Sequence, residues 1–476
     1  MNRPSRRQFF SSMTNGLHGA ALASLLGADL FSPGDLHAAE ERMFNLTPKQ
    51  PHFPAKAKSV IHLFMNGGPS AVDLFDPKPT LQRLAGTLPS RELAFAISNG
   101  QNSGVLFPSP YEFKPRGKSG VMISDRLPHL AECADDIAVI RSMYGEHANH
   151  EPALFLMHSG RTVSTRPTMG AWVSYGLGTE NANLPAYVVL DDPKGLPING
   201  ISNWQSAYLP PIYQGTRFRT EGAPVLNLQS HPEIPTPLVE AERSLLRRLD
   251  EAHRKQRPYQ PELDARISSY ELAANMQLEA SDALDLNKET EATREAYGIG
   301  ADPTDSYGRR CLMARRLVER GVRFVQLYIE QQIFDTHSNL EKSLDYACGK
   351  TDKPIAALLK DLKQRGLLDD TLVVYGGEFG RLPMTQGEGR TAGRDHNPHG
   401  FSVWMAGGGI KGGTTYGATD DIGFKAVEDR VSVHDYHATI LNQLGLNYRD
   451  LFIERSGLNE RLTDQFPARV VTEILA

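Results

Sequence analysis

The chain has 476 residues, a formal net charge of −5 and 40% hydrophobic residues, which is ordinary for a globular protein with a large core. The mild acidity argues against nucleic acid or an anionic membrane as a partner, because both are bound by basic surfaces. The three cysteines lack metal-site spacing and do not support a disulfide framework. We expect each to be a small buried residue: Cys133, Cys311 and Cys348.

The N-terminal segment has the features of an export signal. Arg6 and Arg7 stand in a Ser-Arg-Arg-Gln-Phe frame, ahead of a mildly apolar run over 17–30 and small residues ending at Ala39. This pattern resembles a twin-arginine signal, so we predict a signal peptide at 1–39 and a periplasmic or extracellular domain over 40–476. An ordinary secretory leader that carries two arginines is the alternative. No later segment approaches the roughly 18 uninterrupted apolar residues of a membrane span.

Short apolar runs that end at glycine or polar residues recur through the mature chain, at 59–65, 136–142, 186–190, 321–329, 371–375 and 401–405. Helical patterns at 307–320 and 354–365 lie between them, and Gly366 closes the second. Strands that alternate with helices indicate an α/β fold, with a mainly parallel sheet and helices on both faces.

Two segments depart from this alternation. Residues 191–222 are polar and rich in proline and glycine, which predicts an irregular cap over the sheet edge; a surface loop without function is the alternative. Residues 235–297 are rich in Glu, Arg, Leu and Ala and break at Pro258 and Pro261, which predicts a helical insertion of two or three helices. Both segments lie within the single domain predicted for 40–476.

Residues of the types that bind metals follow two of the predicted strands. Asp335 and His337 are two positions apart in an extended loop, so their side chains point the same way and can share one metal, unless they are only a surface pair. Asp395, His396 and His399 place a carboxylate and two imidazoles within five residues, a density that packing does not explain. Together the two groups predict a metal site.

Other strand ends carry further candidates. Glu378 follows the 371–375 strand, where it either serves the site or stabilises a helix N-terminus, and Arg381 comes soon after. His147 and His150 stand at a predicted helix start, whose free N–H groups can bind an anion; the alternative is a helix cap with one exposed histidine. Asn66 precedes two glycines that either let the backbone approach a ligand or only form a turn.

Taken in order, these motifs resemble an exported bacterial family called domain of unknown function 1501. The resemblance covers nearly the whole mature chain and rests on the following segments: Phe64-Met-Asn-Gly-Gly-Pro-Ser70, Asp73-Leu-Phe-Asp-Pro-Lys78, Cys311-Leu-Met-Ala-Arg-Arg-Leu-Val-Glu-Arg-Gly-Val-Arg-Phe324, Asp335-Thr-His337, Gly377-Glu-Phe-Gly-Arg381, Gly393-Arg-Asp-His-Asn-Pro398 and Met405-Ala-Gly-Gly-Gly-Ile-Lys-Gly-Gly413. That family is similar to the alkaline phosphatase and sulfatase superfamily, which implies a three-layer α/β sandwich. The family's name records no established reaction.

The superfamily resemblance also implies where site residues stand. The position of a metal-binding acid falls on Asn66, with Asp73 a little further on, and the nucleophile position falls on Asn149 or His150. The other metal-ligand positions fall on Asp335, His337, Glu378 and either His396 or His399.

The chain departs from the superfamily at the nucleophile. No serine, threonine or cysteine occurs between Tyr144 and Met157, and no cysteine or serine stands in the C/S-x-P-x-R frame that sulfatases require. Two routes remain: metal-activated water attacking the ester, or His150 acting as a covalent or acid/base group. Mixed histidine and carboxylate ligands favour zinc or manganese over calcium.

The sequence therefore predicts an exported, metal-dependent hydrolase of phosphate or sulfate esters, acting on small molecules or glycans. The predicted metal ligands are Asp335, His337, Glu378, Asp395, His396 and His399. The predicted catalytic residues are His150, His147 and Asn149, and the predicted contacts to the substrate anion are Asn66, Arg161 and Arg381. The alternative is a non-catalytic member that binds a glycan, an anion or a partner protein.

Overall fold

The computed structural model describes residues 44–91, 93, 104–220, 235–257 and 260–476. The predicted signal peptide at 1–39 lies outside these residues, as do Pro258 and positions 221–222 of the predicted cap. Within the described ranges, no helix combines the length and apolar character that a membrane crossing requires. The three cysteines are buried and free, as expected.

The predicted apolar runs form strands because they are rich in β-branched and aromatic residues, which pack well on a pleated surface. The strands of the described residues are, in chain order, Ser59–Phe64 (β1), Phe113–Arg116 (β2), Val121–Ser124 (β3), Ile137–Tyr144 (β4), Tyr187–Leu190 (β5), Thr216–Phe218 (β6), Phe324–Tyr328 (β7), Thr371–Gly376 (β8), Gly380–Arg381 (β9), His396–Asn397 (β10), Phe401–Ala406 (β11), Thr414–Tyr416 (β12), Ala418–Thr419 (β13), Ala426–Glu428 (β14), Val431–Ser432 (β15), Ile453–Arg455 (β16) and Leu458–Glu460 (β17). The predicted runs correspond to β1, β4, β5, β7, β8 and β11.

Nine strands form the central sheet in the order β12-β4-β11-β8-β1-β7-β5-β6, with β15 beside β4. Neighbouring strands are parallel except at β11, which runs antiparallel to β4 and β8. At the centre, Val60 of β1 is paired with Phe324 of β7 and Leu372 of β8. The predicted cap contributes β6, which pairs with the free edge of β5, so part of that segment is sheet and not an irregular cover.

The helices of the described residues are Ala71–Leu74 (α1), Pro79–Arg83 (α2), His150–Ser159 (α3), Met169–Leu177 (α4), Thr236–Lys255 (α5), Pro261–Leu284 (α6), Glu291–Ala296 (α7), Asp305–Glu319 (α8), Leu340–Gln364 (α9) and Val433–Gln443 (α10). The segment predicted as a helical insertion contains α5, α6 and α7. Helix α9 begins well before the predicted pattern and holds Pro354 in its interior. A proline normally ends a helix, but α9 continues because its buried face packs against α8.

The side chains of the central strands alternate between two hydrophobic cores. Ile61 and Leu63 of β1 belong to a core shared with α8 and α9. Val60 and Phe64 belong to a second core, shared with α3, α4 and α10. Because successive residues of a strand face opposite sides, helices must cover both faces of the sheet. Each fully buried aliphatic side chain contributes about 1.5–3 kcal/mol. The predicted α/β architecture, with a mainly parallel sheet between helical layers, is confirmed.

Candidate metal centre

Four side chains that can hold a metal ion meet at the sheet edge where β4, β7 and β8 end. His150 begins α3 after β4, and Asp335 and His337 lie in the loop between β7 and α9. His396 lies in β10, which pairs with β9 directly after β8. Ligand atoms of the four residues all lie within 4.8 Å of one another. We call these four residues the metal group.

In the metal group, three imidazoles face one carboxylate. The Nε2 atoms of His337 and His396 lie 2.9 Å and 3.2 Å from Oδ1 of Asp335. Nε2 of His150 is buried and lies 3.3 Å from Oδ2 of the same carboxylate, without the geometry of a hydrogen bond. The ring centroids of His150 and His337 lie 4.3 Å and 4.6 Å from that of His396. The three Nε2 atoms thus surround the Asp335 carboxylate.

The Nδ1 atom of each imidazole is hydrogen-bonded to an oxygen atom. The Nδ1 atoms are hydrogen-bonded as follows: His150 to Oε1 of Glu378 at 2.6 Å, His396 to the carbonyl of Ala148 at 2.6 Å, and His337 to Oε1 of Gln386. A carbonyl or carboxylate oxygen accepts a proton from Nδ1, which leaves the lone pair of Nε2 facing inward. This is the tautomer that binds a metal, and its oxygen partners are those that orient histidine ligands in metalloproteins.

The electrostatics of the metal group favour a cation. Inward lone pairs would repel the Asp335 carboxylate, and protons or a metal ion relieve that repulsion. Burial disfavours the charged form of His150, but the carboxylates of Asp335 and Glu378 outweigh it and raise the pKa of His150 to about 9. The hydrogen bond to Asp335 also raises the pKa of His337, whereas burial lowers the pKa of His396. A divalent ion would replace the protons that the group otherwise attracts.

Asp335 is held in its ionised form by the three histidines and by a buried arginine. Arg381 donates from Nη2 to Oδ1 of Asp335 at 2.5 Å, and its side chain is fully buried. Its other donors bind the carbonyls of Gly67, Gly68 and Arg394. Burial would favour the neutral acid, but the three neighbouring histidines and the charge of Arg381 hold the pKa of Asp335 well below its usual range. Arg381, predicted to contact the substrate anion, thus contacts Asp335 and the backbone in this structure.

Glu378 lies behind His150 and is not a member of the metal group. Its side chain is buried, and both of its oxygens accept the backbone N–H of Gly67, at 3.0 Å and 3.2 Å. Gly67 has φ +104°, and a Cβ at this position would lie 2.5 Å from the backbone nitrogen of Asp335. Only glycine lets the loop after β1 come this close. This predicted ligand therefore contacts Nδ1 of His150, on the side of the ring opposite to Nε2 and Asp335.

The other two predicted ligands of the 395–399 loop also lie outside the metal group. Oδ1 of Asp395 accepts the backbone N–H of His396 at 2.7 Å and is 3.9 Å from Nδ1 of His337. His399 packs its ring against Phe424, with centroids 5.2 Å apart. Because side chains of an extended segment alternate in direction, His396 faces the metal group while Asp395 and His399 do not.

The three predicted catalytic residues lie near the start of α3, but only one of them belongs to the metal group. Nδ1 of His147 accepts the backbone N–H of Asn149 at 3.0 Å, a local turn contact. Asn149 is exposed and precedes α3 without a side-chain cap. His150 joins the metal group, a position among ligands that sequence reasoning missed. No spacing in the sequence could have revealed it, because its partners Glu378 and Asp335 come from distant segments.

The remaining predicted site residues have structural partners elsewhere. Nδ2 of Asn66 donates at 2.8 Å to the backbone carbonyl of residue 329, and so ties the end of β1 to the segment after β7. Asp73 forms a buried ion pair with Arg394, at 2.7 Å. Arg161 is paired with Asp464 at 2.8 Å, beyond the opposite end of α3 from His150. None of these three side chains belongs to the metal group.

A family model described as "Protein of unknown function (DUF1501)" matches residues 57–475. No curated protein matches the chain. Among solved structures, the PsFucS1 sulfatase from Pseudoalteromonas sp. is 12% identical, with a TM-score of 0.37 over 90% of this chain and 72% of that one. The lipoteichoic acid synthase LtaP from Listeria monocytogenes is 10% identical, with a TM-score of 0.35 over 88% of this chain and 78% of that one.

A TAB5 alkaline phosphatase mutant with Mg bound is also similar, with 12% identity and a TM-score of 0.35 over 84% of this chain and 100% of that one. A sulfatase and an alkaline phosphatase are thus among the similar structures. Likeness at these scores carries no statement about the chemistry of this chain, which depends on its own residues.

Proposed function

The chain belongs to the family of proteins of unknown function called DUF1501, and we propose that it is an exported, metal-dependent hydrolase of phosphate or sulfate esters. The observation that carries this proposal is the metal group, where three imidazoles with oxygen partners on Nδ1 face one carboxylate. Export is proposed from the paired arginines Arg6 and Arg7. The proposed substrate is an ester of a small molecule or a glycan.

We assign the metal group to one divalent ion, zinc or manganese. Three histidines and one aspartate form a mixed nitrogen and oxygen donor set, which suits these ions better than calcium, whose ligands are oxygens. The ligand atoms lie within 4.8 Å of one another, and an ion with bonds of roughly 2.0–2.2 Å can reach all of them after a small contraction. Such an ion would polarise an ester oxygen and lower the pKa of water.

Two residues next to the metal group, Glu378 and Arg381, orient its ligands. Glu378 accepts the proton of Nδ1 and fixes the ring of His150. Arg381 keeps the carboxylate of Asp335 ionised and oriented. Because both partners are buried, the positions of the two ligands are set before an ion binds. Partners of this kind raise the basicity of histidine ligands and tune metal affinity.

Water is the nucleophile in this proposal. The residues from Tyr144 to Met157, which include the start of α3, contain no serine, threonine or cysteine. His150 occupies the helix start, but its two ring nitrogens lie 2.6 Å and 3.3 Å from carboxylate oxygens, which suits a metal ligand and not a covalent group. The proposal therefore assigns His150 to metal binding in place of the acid/base role expected from its position in the sequence.

Metal content and ester hydrolysis of the purified protein test the proposal. We expect the wild type to carry about one divalent ion per chain, to hydrolyse at least one of a panel of aryl phosphate and aryl sulfate esters, and to lose activity on chelation. His396→Ala removes a member of the metal group. His399→Ala changes the same loop outside the group and is the matched control.

Loss of metal and activity in His396→Ala, with both retained in His399→Ala, would support the proposal. Equal effects in the two variants, or a wild type that binds no divalent ion, would contradict the metal group. A wild type that carries the ion but hydrolyses no ester would favour the non-catalytic alternative, to which the missing hydroxyl nucleophile also points.

A further inference from the structure

A cavity lies beyond the end of α3 that is opposite to the metal group. The segment 161–166, the loop 205–208 and the hairpin of β16 and β17 line an open cleft of about 730 Å³. Since α3 has 10 residues, the two sites are separated by roughly 15 Å of helix. We call this space the arginine cavity, after three residues that line it: Arg161, Arg166 and Arg455.

Two of these arginines are fixed in place by carboxylates. Oδ2 of Asp464 accepts hydrogen bonds from Arg161 at 2.8 Å and from Arg166 at 2.7 Å. Arg166 also pairs with Glu460 and donates to the hydroxyl of Tyr208 at 3.2 Å. Its side chain is only 14% exposed. The wall of the cavity is therefore preorganised, because its guanidinium groups are held before any ligand arrives.

Arg455 lacks such a counter-ion. Its guanidinium lies 5.3 Å from the ring centroid of Tyr208, and it makes no ion pair within the part of the chain that the structure describes. The residue is exposed and lines the cavity. Two guanidinium groups, of Arg161 and Arg166, are thus matched by two carboxylates, of Glu460 and Asp464. The guanidinium of Arg455 adds a third positive charge, so the cavity carries a net positive charge that favours an anion.

The rest of the lining offers neutral hydrogen-bonding groups and a strained turn. Ser164 and Thr165 bring hydroxyl groups to the wall, and Gln205 brings a side-chain amide. The NH2 group of Gln205 donates to the carbonyls of Ser164 and Arg166, so its amide oxygen is the group that can accept from a ligand. Ala207 has φ +47°, a conformation that is uncommon for a residue with a Cβ and that recurs at binding sites. Guanidinium groups suit an oxyanion with several oxygens, and hydroxyl and amide groups suit the hydroxyls of a sugar.

We propose that the arginine cavity binds a sugar that carries a sulfate or phosphate group. Arg455 contacts the oxyanion, and the hydroxyl and amide groups of the wall bind the sugar hydroxyls. The volume of about 730 Å³ matches pockets for organic ligands and exceeds what an inorganic ion requires. The metal group contributes no residue to this lining, so the proposal stands whether or not the protein is a hydrolase.

Isothermal titration calorimetry of the chelator-treated full chain with a monosulfated glucose tests the proposal. We expect saturable binding at one site, which weakens as salt is added because the contact is charged. Inorganic sulfate and unsubstituted glucose each supply only part of the ligand and should bind at least about tenfold more weakly. Arg455→Ala should weaken binding of the sulfated sugar about tenfold or more, through loss of a charge-assisted contact.

Arg449→Ala is the matched control. Arg449 is exposed, and its guanidinium lies 5.4 Å from the ring centroid of Tyr448, but it does not line the cavity. Both variants change an exposed side chain, so the melting curve should match that of the wild type. Equal affinity of the two variants, or no binding by the wild type, would overturn the proposal. Binding of inorganic sulfate as tight as that of the sulfated sugar would overturn the assignment to a sugar.

Discussion

Helix α3 carries histidines at its two ends in opposite electrostatic surroundings. At its start, the ring nitrogens of His150 lie 2.6 Å from Glu378 and 3.3 Å from Asp335, and these carboxylates outweigh burial and raise its pKa to about 9. Near its end, His158 is buried against neutral groups, among them the amide of Gln326 at 3.2 Å. There burial lowers the pKa of His158 well below its usual value.

The contrast shows that the neighbours of an imidazole, and not the residue type, decide what it does. The ring of His158 lies 4.5 Å from Phe64 and 6.0 Å from His62 between centroids, so this end of α3 belongs to an aromatic core. Burial there selects the neutral ring. At the sheet edge, carboxylates select positive charge, which a proton or a metal ion supplies. Substitution of His150 should alter metal binding, and substitution of His158 should alter the stability of the fold.

The largest effect is expected for His150→Ala. Mutation of a residue that only hydrogen-bonds a metal ligand typically weakens metal binding about 10–100-fold. Loss of the ligand itself should weaken metal binding by more than this, and ester hydrolysis should fall with it. Folding should be retained because His150 is the first residue of α3 and alanine is a good helix former. Competition with a chelator and a melting curve measure the two properties. His147→Ala, in the same segment but outside the metal group, should bind metal like the wild type; equal losses would refute the assignment.

A smaller effect, about 10–100-fold weaker metal binding, is expected for Glu378→Gln. Glutamine keeps the size of the side chain and an oxygen that can accept the N–H of Gly67, but it removes the negative charge that faces Nδ1 of His150. The ring should then be held less firmly in the metal-binding tautomer. The same chelator competition measures the change. An unaltered affinity would show that Glu378 does not orient this ligand.

A third effect concerns stability in acid and not metal binding. His158 titrates near pH 6.5 in the unfolded chain, and burial lowers its pKa in the folded chain, so protons bind the unfolded state more tightly. Stability is therefore lost as the pH falls below about 6.5, with a slope of about 1.4 kcal/mol per pH unit for each such histidine. His62 adds to the slope, since burial lowers its pKa to about 3.

His158→Phe tests this slope because it removes the titrating group and keeps an aromatic ring in the core. The free energy of unfolding in urea should fall less steeply between about pH 6 and pH 4 in the variant, by about the slope of one histidine. The lost hydrogen bonds to Gln326 and Tyr328 lower stability at every pH and do not change the slope. Parallel curves for variant and wild type would contradict a neutral His158.

The strands were more predictable than the helices and the sheet edge. β1, β7 and β8 are buried on both faces, so each reads as a nearly continuous apolar run that stands out in the sequence. Helix α9 exceeded its predicted length because packing against α8 compensates for Pro354. The strand β6 has three residues, and its place beside β5 depends on the neighbour and not on its own composition.

The candidate site was predictable where spacing is local. Asp335 and His337 are two positions apart, and their shared direction follows from extended backbone. The 395–399 loop was identifiable as rich in ligand-type residues, but the choice of His396 over Asp395 and His399 depends on how β10 pairs with β9. Glu378 was predicted as a ligand, but it contacts Nδ1 of His150. That contact joins distant segments, so local spacing could not predict it.

By itself, the sequence determined the α/β class, the order of the strands along the chain and the kinds of side chain that reach the sheet edge, because periodicity and strand ends are local properties. Only the tertiary structure decided which nitrogen meets which oxygen. His150, Asp335 and His396 come from separate segments, and their atoms meet because β4, β7 and β8 end at one edge and Gly67 lets two loops touch. Metal binding requires positions set to within a fraction of an ångström, and pairing between distant segments sets them.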